Sequence, residues 1–235
     1  MTDQPGLAAL RINVPMTDAL EHYIDRVGYR EHPSLAGCRA EAMTRGAMAA
    51  MQIAPEQGAF LQLLVRLLGA RRILEVGTFT GYSAMAMALA LSADGRLVTC
   101  DVSDEYVDLA RRFWAEAEVA DRIDARLGDA ADTLDQLLES DGENAYDLAF
   151  IDADKPGYPA YYRAALRLVR PGGLILLDDT LLRGRVATGA LPGDPAFYGP
   201  AVEAVTGLSE AIHADAGVQM VLLPWRDGMT IVRKL

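Results

Sequence analysis

The sequence predicts an α/β protein, a mostly parallel sheet with one antiparallel strand and helices on both faces. Three observations carry this expectation. Five short apolar runs alternate with helical patterns between residues 73 and 179. The runs are nearly continuously apolar, as strands covered on both faces are. The chain then closes with two further apolar runs around Asp227-Gly228. Asp-Gly between apolar runs is a hairpin signal, so the last strand is expected to lie antiparallel to its neighbour.

Taken in order, residues 17–50 read as one or two helices, DALEHYIDRVG and SLAGCRAEAMTRGAMAAM. Residues 55–69 read as an amphipathic helix, with Pro55 near its start and Phe60, Leu61, Leu64, Leu67 and Leu68 on one face. The strands are expected at 73–76, 96–101, 123–129, 146–152 and 172–179, each of the first four followed by a helix. Residues 181–200 are rich in Gly and Pro and read as a long loop. A helix from Ala201 to Ala214 precedes the closing hairpin.

At 235 residues the chain fits a single domain with an N-terminal helical extension over about 1–54. It is 51% hydrophobic and 23% charged, a soluble globular composition. Its longest apolar run, Ala84 to Leu91, is too short to span a bilayer, and MTDQPGLAAL lacks the basic start of a signal peptide. Cys38 and Cys100 are isolated, which predicts a reduced, cytoplasmic protein. A net charge of −11 argues against a nucleic-acid partner, which calls for a basic face.

Chemistry is expected at the carboxyl ends of the strands, where ligands of open α/β sheets bind. Gly77 and Gly81 bracket a tight strand-to-helix turn that would let backbone approach a ligand. Phe79 stands where a dinucleotide fingerprint needs its second glycine, so a ligand without pyrophosphate is favoured. Glu75 ends a buried strand and needs a partner. Asp101 follows Gly77 by 24 residues, near the spacing of a ribose-binding acid. It could equally cap the next helix. Asp129 and Ala130 follow the third strand, where an adenine ring could pack.

A second group is acidic. Asp152 and Asp154 end the fourth strand, and Asp178 and Asp179 end the fifth. Adjacent parallel strands would bring these carboxylates together, and their repulsion asks for a hard divalent cation, Mg2+, Mn2+ or Ca2+. Lys155 reads either as a salt-bridge partner or as a general base. His22, His32 and His213 are scattered and read as scaffold or surface.

The segments MQIAPEQGAFLQLL, LEVGTFTGYSAMAMALAL, DLAFIDADKPGYPAYY, LVRPGGLILLDDTLLRGRV and LLPWRDGMTIVRKL closely resemble the cation-dependent caffeoyl-CoA and catechol O-methyltransferase family. The resemblance spans about residues 20–235 and is nearest to the bacterial small-molecule branch. It implies a seven-stranded, Rossmann-like class I methyltransferase sheet, S-adenosylmethionine, a divalent metal with Mg2+ foremost, and a homodimer. By position, Glu75, Gly77, Thr78, Ser83, Asp101, Val102, Asp129, Ala130, Asp152 and Asp154 would bind the cofactor. Met51 and Ile53 would cover methionine and substrate. Asp152, Asp178 and Asp179 match metal ligands, and Lys155, with Asp152, the catalytic pair.

Two positions depart from that family. It has Asp-Asn where this chain has Asp178-Asp179, and a tryptophan of the substrate wall where this chain has Leu182. The resemblance implies methyl transfer to a hydroxyl of a catechol-like small molecule, with the 181–200 loop folding over it and Phe197 or Tyr198 as walls. Two rivals share the motifs: a tRNA hydroxyuridine O-methyltransferase, and a homologue that binds the cofactor with impaired catalysis.

Overall fold

The computed structural model describes residues 14–235. The signal-peptide reading of MTDQPGLAAL and the start of the helical extension lie outside the described residues. The seven strands are β1 (Arg72–Val76), β2 (Arg96–Asp101), β3 (Ile123–Leu127), β4 (Tyr146–Ile151), β5 (Val169–Leu177), β6 (Val218–Leu223) and β7 (Met229–Lys234). They form one sheet in the order β3-β2-β1-β4-β5-β7-β6. The pairs from β3 to β5 are parallel, and β7 runs antiparallel to both β5 and β6. Order reverses between β1 and β4, which makes their carboxyl ends the topological switch point.

Alternation along the strands splits the core in two. Ile73, Leu97, Leu148, Phe150 and Leu176 face the helices α2 (Pro33–Met43), α3 (Pro55–Leu68), α4 (Tyr82–Ala90) and α5 (Asp104–Glu116). Leu74, Val98, Ala149, Ile151, Ile175 and Leu177 face α6 (Ala130–Asp141), α7 (Tyr158–Leu168) and a long helix that starts at Tyr198. The period of two in a pleated strand makes both faces apolar, as the sequence runs require. Burying one such aliphatic side chain stabilises by about 1.5–3 kcal/mol.

Several boundaries differ from expectation. The N-terminal pattern divides into α1 (Asp18–Val27), α2 and a 3-10 turn over Gly46–Met51, because Gly46 takes a left-handed φ of 61°. Strand β3 stops at Leu127, since Gly128 turns the chain and Asp129 caps α6 through Ala131 N and Asp132 N. Strand β5 begins at Val169, three residues before the expected 172, and absorbs Pro171-Gly172-Gly173 with a register irregularity against β4. The 181–200 segment is no featureless loop. It holds a 3-10 turn over Leu182–Gly184 and the short helix α8 (Arg185–Thr188), and α9 (Tyr198–Ala214) begins earlier than expected. Among the described residues, no helix is long and apolar enough to cross a membrane.

Candidate active site

A cavity of about 570 Å³ opens at the carboxyl edge of the sheet, over the switch point. Gly77 and Asp152, which end β1 and β4, meet there. The Asp152 amide donates to the Val76 carbonyl at 2.8 Å, and a Cβ on Gly77 would lie 2.1 Å from the Asp152 carbonyl oxygen. Gly77, with φ 96°, is therefore required first by the chain itself. Gly81 is likewise pressed against Ala110 and Trp114 of α5 and does not line the cavity. The glycine turn read as a ligand loop is equally a packing joint.

Asp101 organises the turn after β1 and the approach to α5. Its Oδ2 accepts the amides of Thr78 and Phe79 at 2.9 and 2.8 Å, and its Oδ1 accepts the Ser103 amide at 2.9 Å. Oδ1 keeps one lone pair without a donor, and Asp101 lines the cavity. Ser103, rather than Asp101, caps α5. Val102 also lines the cavity while 80% exposed, an apolar surface with nothing over it. Thr78, Ser83, Asp129 and Ala130 complete this end. Phe79 lines it with a left-handed φ of 45°, strain held in place by its edge-on contact with Tyr106. Met51 and Ile53 reach the cavity from the 3-10 turn ahead of α3.

Glu75 does not line the cavity. It lies under it, fully buried, with Oε2 accepting the Thr99 hydroxyl at 2.6 Å. Its Oε1 meets no donor among the described residues. Burial pushes its pKa up to about 8, although the Ser83 and Thr99 hydroxyls lower it.

The acidic group gathers around Lys155. Its ammonium donates to Asp152 Oδ1 at 3.2 Å, to the Tyr158 hydroxyl at 2.5 Å and to the Asp178 carbonyl at 3.3 Å, with Asp179 Oδ2 at 3.9 Å. Burial alone would pull the lysine pKa down, but Tyr158, Asp152 and Asp179 outweigh it and hold it above the usual lysine range. The expected carboxylate cluster thus has a basic group inside it, and the salt-bridge reading of Lys155 holds in this state. Tyr158 keeps its proton, its pKa raised by burial, and donates to the carbonyls of Asp178 and Ile151 at 2.9 and 3.1 Å. Asp154 lines the cavity and accepts the Tyr161 hydroxyl at 2.6 Å.

Asp178 is buried behind this group. Gln57 Nε2 donates to both its carboxylate oxygens at 3.0 Å. Burial, then Asp152 and Asp179, push its pKa well up. Asp179 is raised to about 6, by burial first, with Lys155 pulling down and Asp152 and Asp227 pushing up. Among the described residues, no three His, Cys, Asp or Glu are grouped closely enough to hold a metal ion. Asp152, Asp178 and Asp179 do come near enough to raise one another's pKa, but Gln57 takes Asp178 and Lys155 stands between the other two. The donor chemistry still suits a hard cation: oxygen only, with negative charge left uncompensated. His22 and His213 are exposed, and His32 caps α2, as scaffold residues do.

Leu182 is buried in the second core, and Phe197 and Tyr198 line the cavity beside it. Gln57 and Tyr158 were not singled out in sequence, and Asp227 only as part of the hairpin turn. Gln57 and Tyr158 stand inside the quoted motifs PEQG and DKPGY, but nothing local says what they touch.

A sheet of this order, with such a cavity at its switch point, defines a class I methyltransferase. The sequence model of the O-methyltransferase family matches residues 25–235. The chain belongs to that family and is an O-methyltransferase on the class I, S-adenosylmethionine-dependent fold. It is 37% identical to the catechol O-methyltransferase of Niastella koreensis over 222 residues, covering 94% of this chain and 98% of that one. It is 35% identical to caffeoyl-CoA O-methyltransferase 1 of Eucalyptus globulus, covering 93% and 89%. The crystal structure of the Bacillus cereus O-methyltransferase in complex with S-adenosylhomocysteine superposes with a TM-score of 0.82 at 34% identity, covering 92% of this chain and 97% of that one.

Proposed function

We propose that this chain transfers the methyl group of S-adenosylmethionine to one hydroxyl of a catechol-like small molecule, with a divalent cation, Mg2+ first among them, at the acidic end of the cavity. The observation that carries this reading is that Lys155, Asp152 and Asp179 line the same cavity as Asp101 and Val102. A nucleoside end and a proton-handling end therefore share one space.

At the nucleoside end, the remaining lone pair on Asp101 Oδ1 accepts a ribose hydroxyl, and Val102 offers its apolar surface to the adenine. Glu75, beneath, holds its proton in the cofactor-free protein and would release it to solvent as the cofactor's ammonium and sulfonium bring positive charge above it. Ile53 and Met51 close over the methionine. At the other end, Asp152, Asp178 and Asp179 would hold the cation, Asp178 by turning away from Gln57. When bound, the cation would act as a Lewis acid that acidifies the acceptor hydroxyl, whose pKa in a free phenol is about 10.

Tyr158 and the Asp178 carbonyl fix Lys155 Nζ, which Asp152 and Asp179 hold protonated; once those carboxylates are engaged elsewhere it releases that proton to solvent, and its freed lone pair takes the acceptor proton. The acceptor oxygen then attacks the methyl carbon as the carbon–sulfur bond breaks, leaving S-adenosylhomocysteine. The main contribution of the protein is alignment of oxygen, carbon and sulfur. The same reading carries a homodimer, with α1, none of whose side chains is buried, free to meet a second copy.

The test is methyl transfer from labelled S-adenosylmethionine to a catechol panel after chelator treatment, with and without added Mg2+. Metal-dependent product supports the reading. Turnover indifferent to chelation removes the cation, and product on tRNA but on no catechol replaces the acceptor.

A further inference from the structure

We infer that Arg183 recognises a carboxylate on the acceptor, so that the preferred substrates are catechol-like acids. This rests on the proposed function and narrows its acceptor class. The flap over the cavity carries two arginines, and they differ in what they do. Arg185 is committed: it pairs with Asp194 through two hydrogen bonds at 2.6 and 2.8 Å and lies over the Tyr198 ring. Arg183 lines the cavity, and among the described residues its guanidinium enters no ion pair and no hydrogen bond.

Its backbone is fixed nonetheless. The Arg183 amide donates to Asp227 Oδ1 at 2.5 Å. Leu182, Arg183 and Gly184 take left-handed φ values of 48°, 50° and 81° in succession. Two adjacent non-glycine residues in that region are strained and persist only where their surroundings over-determine them. Leu182 supplies that hold, buried in the core while its neighbour is exposed.

The strained turn thus presents a cation at the acceptor end, near enough for its charge to act on Asp179. Asp227, which also lines the cavity, accepts the Arg183 amide and not the guanidinium. A planar guanidinium fork matches a carboxylate through two parallel hydrogen bonds. An acceptor whose hydroxyls face Lys155 and whose acid group faces Arg183 would be held at both ends.

The experiment compares 3,4-dihydroxybenzoate, its methyl ester and catechol on the wild-type protein, Arg183→Ala and Arg183→Lys. It measures kcat/KM, and by calorimetry the binding of each acceptor to the protein loaded with S-adenosylhomocysteine. The wild type should favour the acid over the ester by about tenfold, about 1.4 kcal/mol. Arg183→Ala should lose that preference through KM, Arg183→Lys should keep part of it, and catechol should be handled alike by all three. Equal treatment of acid and ester by the wild type overturns the inference. So does an equal loss on every acceptor in Arg183→Ala, which would make Arg183 a structural part of the flap. Absence of turnover on every acceptor sinks the proposed function instead. In that case acid binding lost in Arg183→Ala upholds the inference, and no acid binding overturns it.

Discussion

Gln57 and Asp178 are joined across 121 positions of sequence: one side-chain amide on the first turn of α3 donates to both oxygens of a carboxylate at the end of β5. The Gln57 carbonyl oxygen also accepts the Ala54 amide at 2.9 Å, so the same residue fixes the start of α3. Gln57→Ala leaves a buried carboxylate with the Asp179 amide on Oδ1 and no donor on Oδ2. It should cost about 1–3 kcal/mol of stability and lower kcat at least tenfold. Thermal unfolding beside initial rates checks both. Unchanged kcat with reduced stability would confine Gln57 to a structural role.

Gly77→Ala should cost about 3 kcal/mol or more and abolish S-adenosylhomocysteine binding. The added Cβ meets the Asp152 carbonyl, which is backbone and cannot swing aside, and φ 96° is strained for any side chain. Calorimetric titration and a melting curve suffice. A folded variant with wild-type affinity would disprove the joint.

Glu75 sets a pH dependence. Its folded pKa lies near 8, above the ordinary carboxylate value of 4.5, so the folded state holds this proton more tightly than the unfolded chain. The associated stability is fully present below pH 4.5 and is lost as pH rises towards 8. The loss amounts to at most a few kcal/mol. Melting temperatures of the cofactor-free protein across that window should fall for the wild type and stay flatter for Glu75→Gln. Parallel curves would show that the carboxylate is not penalised. The same substitution should weaken cofactor binding, since it removes the carboxyl group that would ionise in answer to the cofactor's positive charge.

Asp179→Asn separates charge from shape. The residue has φ 54°, a region asparagine tolerates well. Removing one of three neighbouring carboxylates should raise the stability of the cation-free protein by roughly 1 kcal/mol. It should also weaken Mg2+ binding, read by calorimetry without acceptor. Stronger Mg2+ binding in the variant would take Asp179 out of the ligand set.

Leu182→Trp tests the other departure from the family pattern. Leu182 is 4% exposed and packed among the second core cluster. The larger ring should cost about 1–3 kcal/mol by overpacking. It should raise KM for bulky acceptors more than for catechol. A neutral effect on stability would mean the ring finds room in the cavity instead.

The sequence by itself determined the strand order of events, the two-sided sheet and the edge where chemistry happens. Those follow from short-range rules: unbroken apolar runs need cover on both faces, and parallel strands bring their carboxyl ends to one edge. Asp101, Val102, Asp129, Asp152, Asp154 and Lys155 were legible because each lies at a strand's carboxyl end or within four residues of it, and all line the cavity. Tertiary structure alone decided the rest. Glu75 faces inward beneath the floor because the pleat at β1 turns it there. Asp178 belongs to Gln57 because the first turn of α3 lies beside the end of β5, a contact no local pattern encodes. The flap is held in shape by Leu182 in the core and by Asp227 from the closing hairpin, 44 residues away. Which of two nearby arginines is left to meet a substrate depends on where Asp194 folds back, and only the packed chain fixes that.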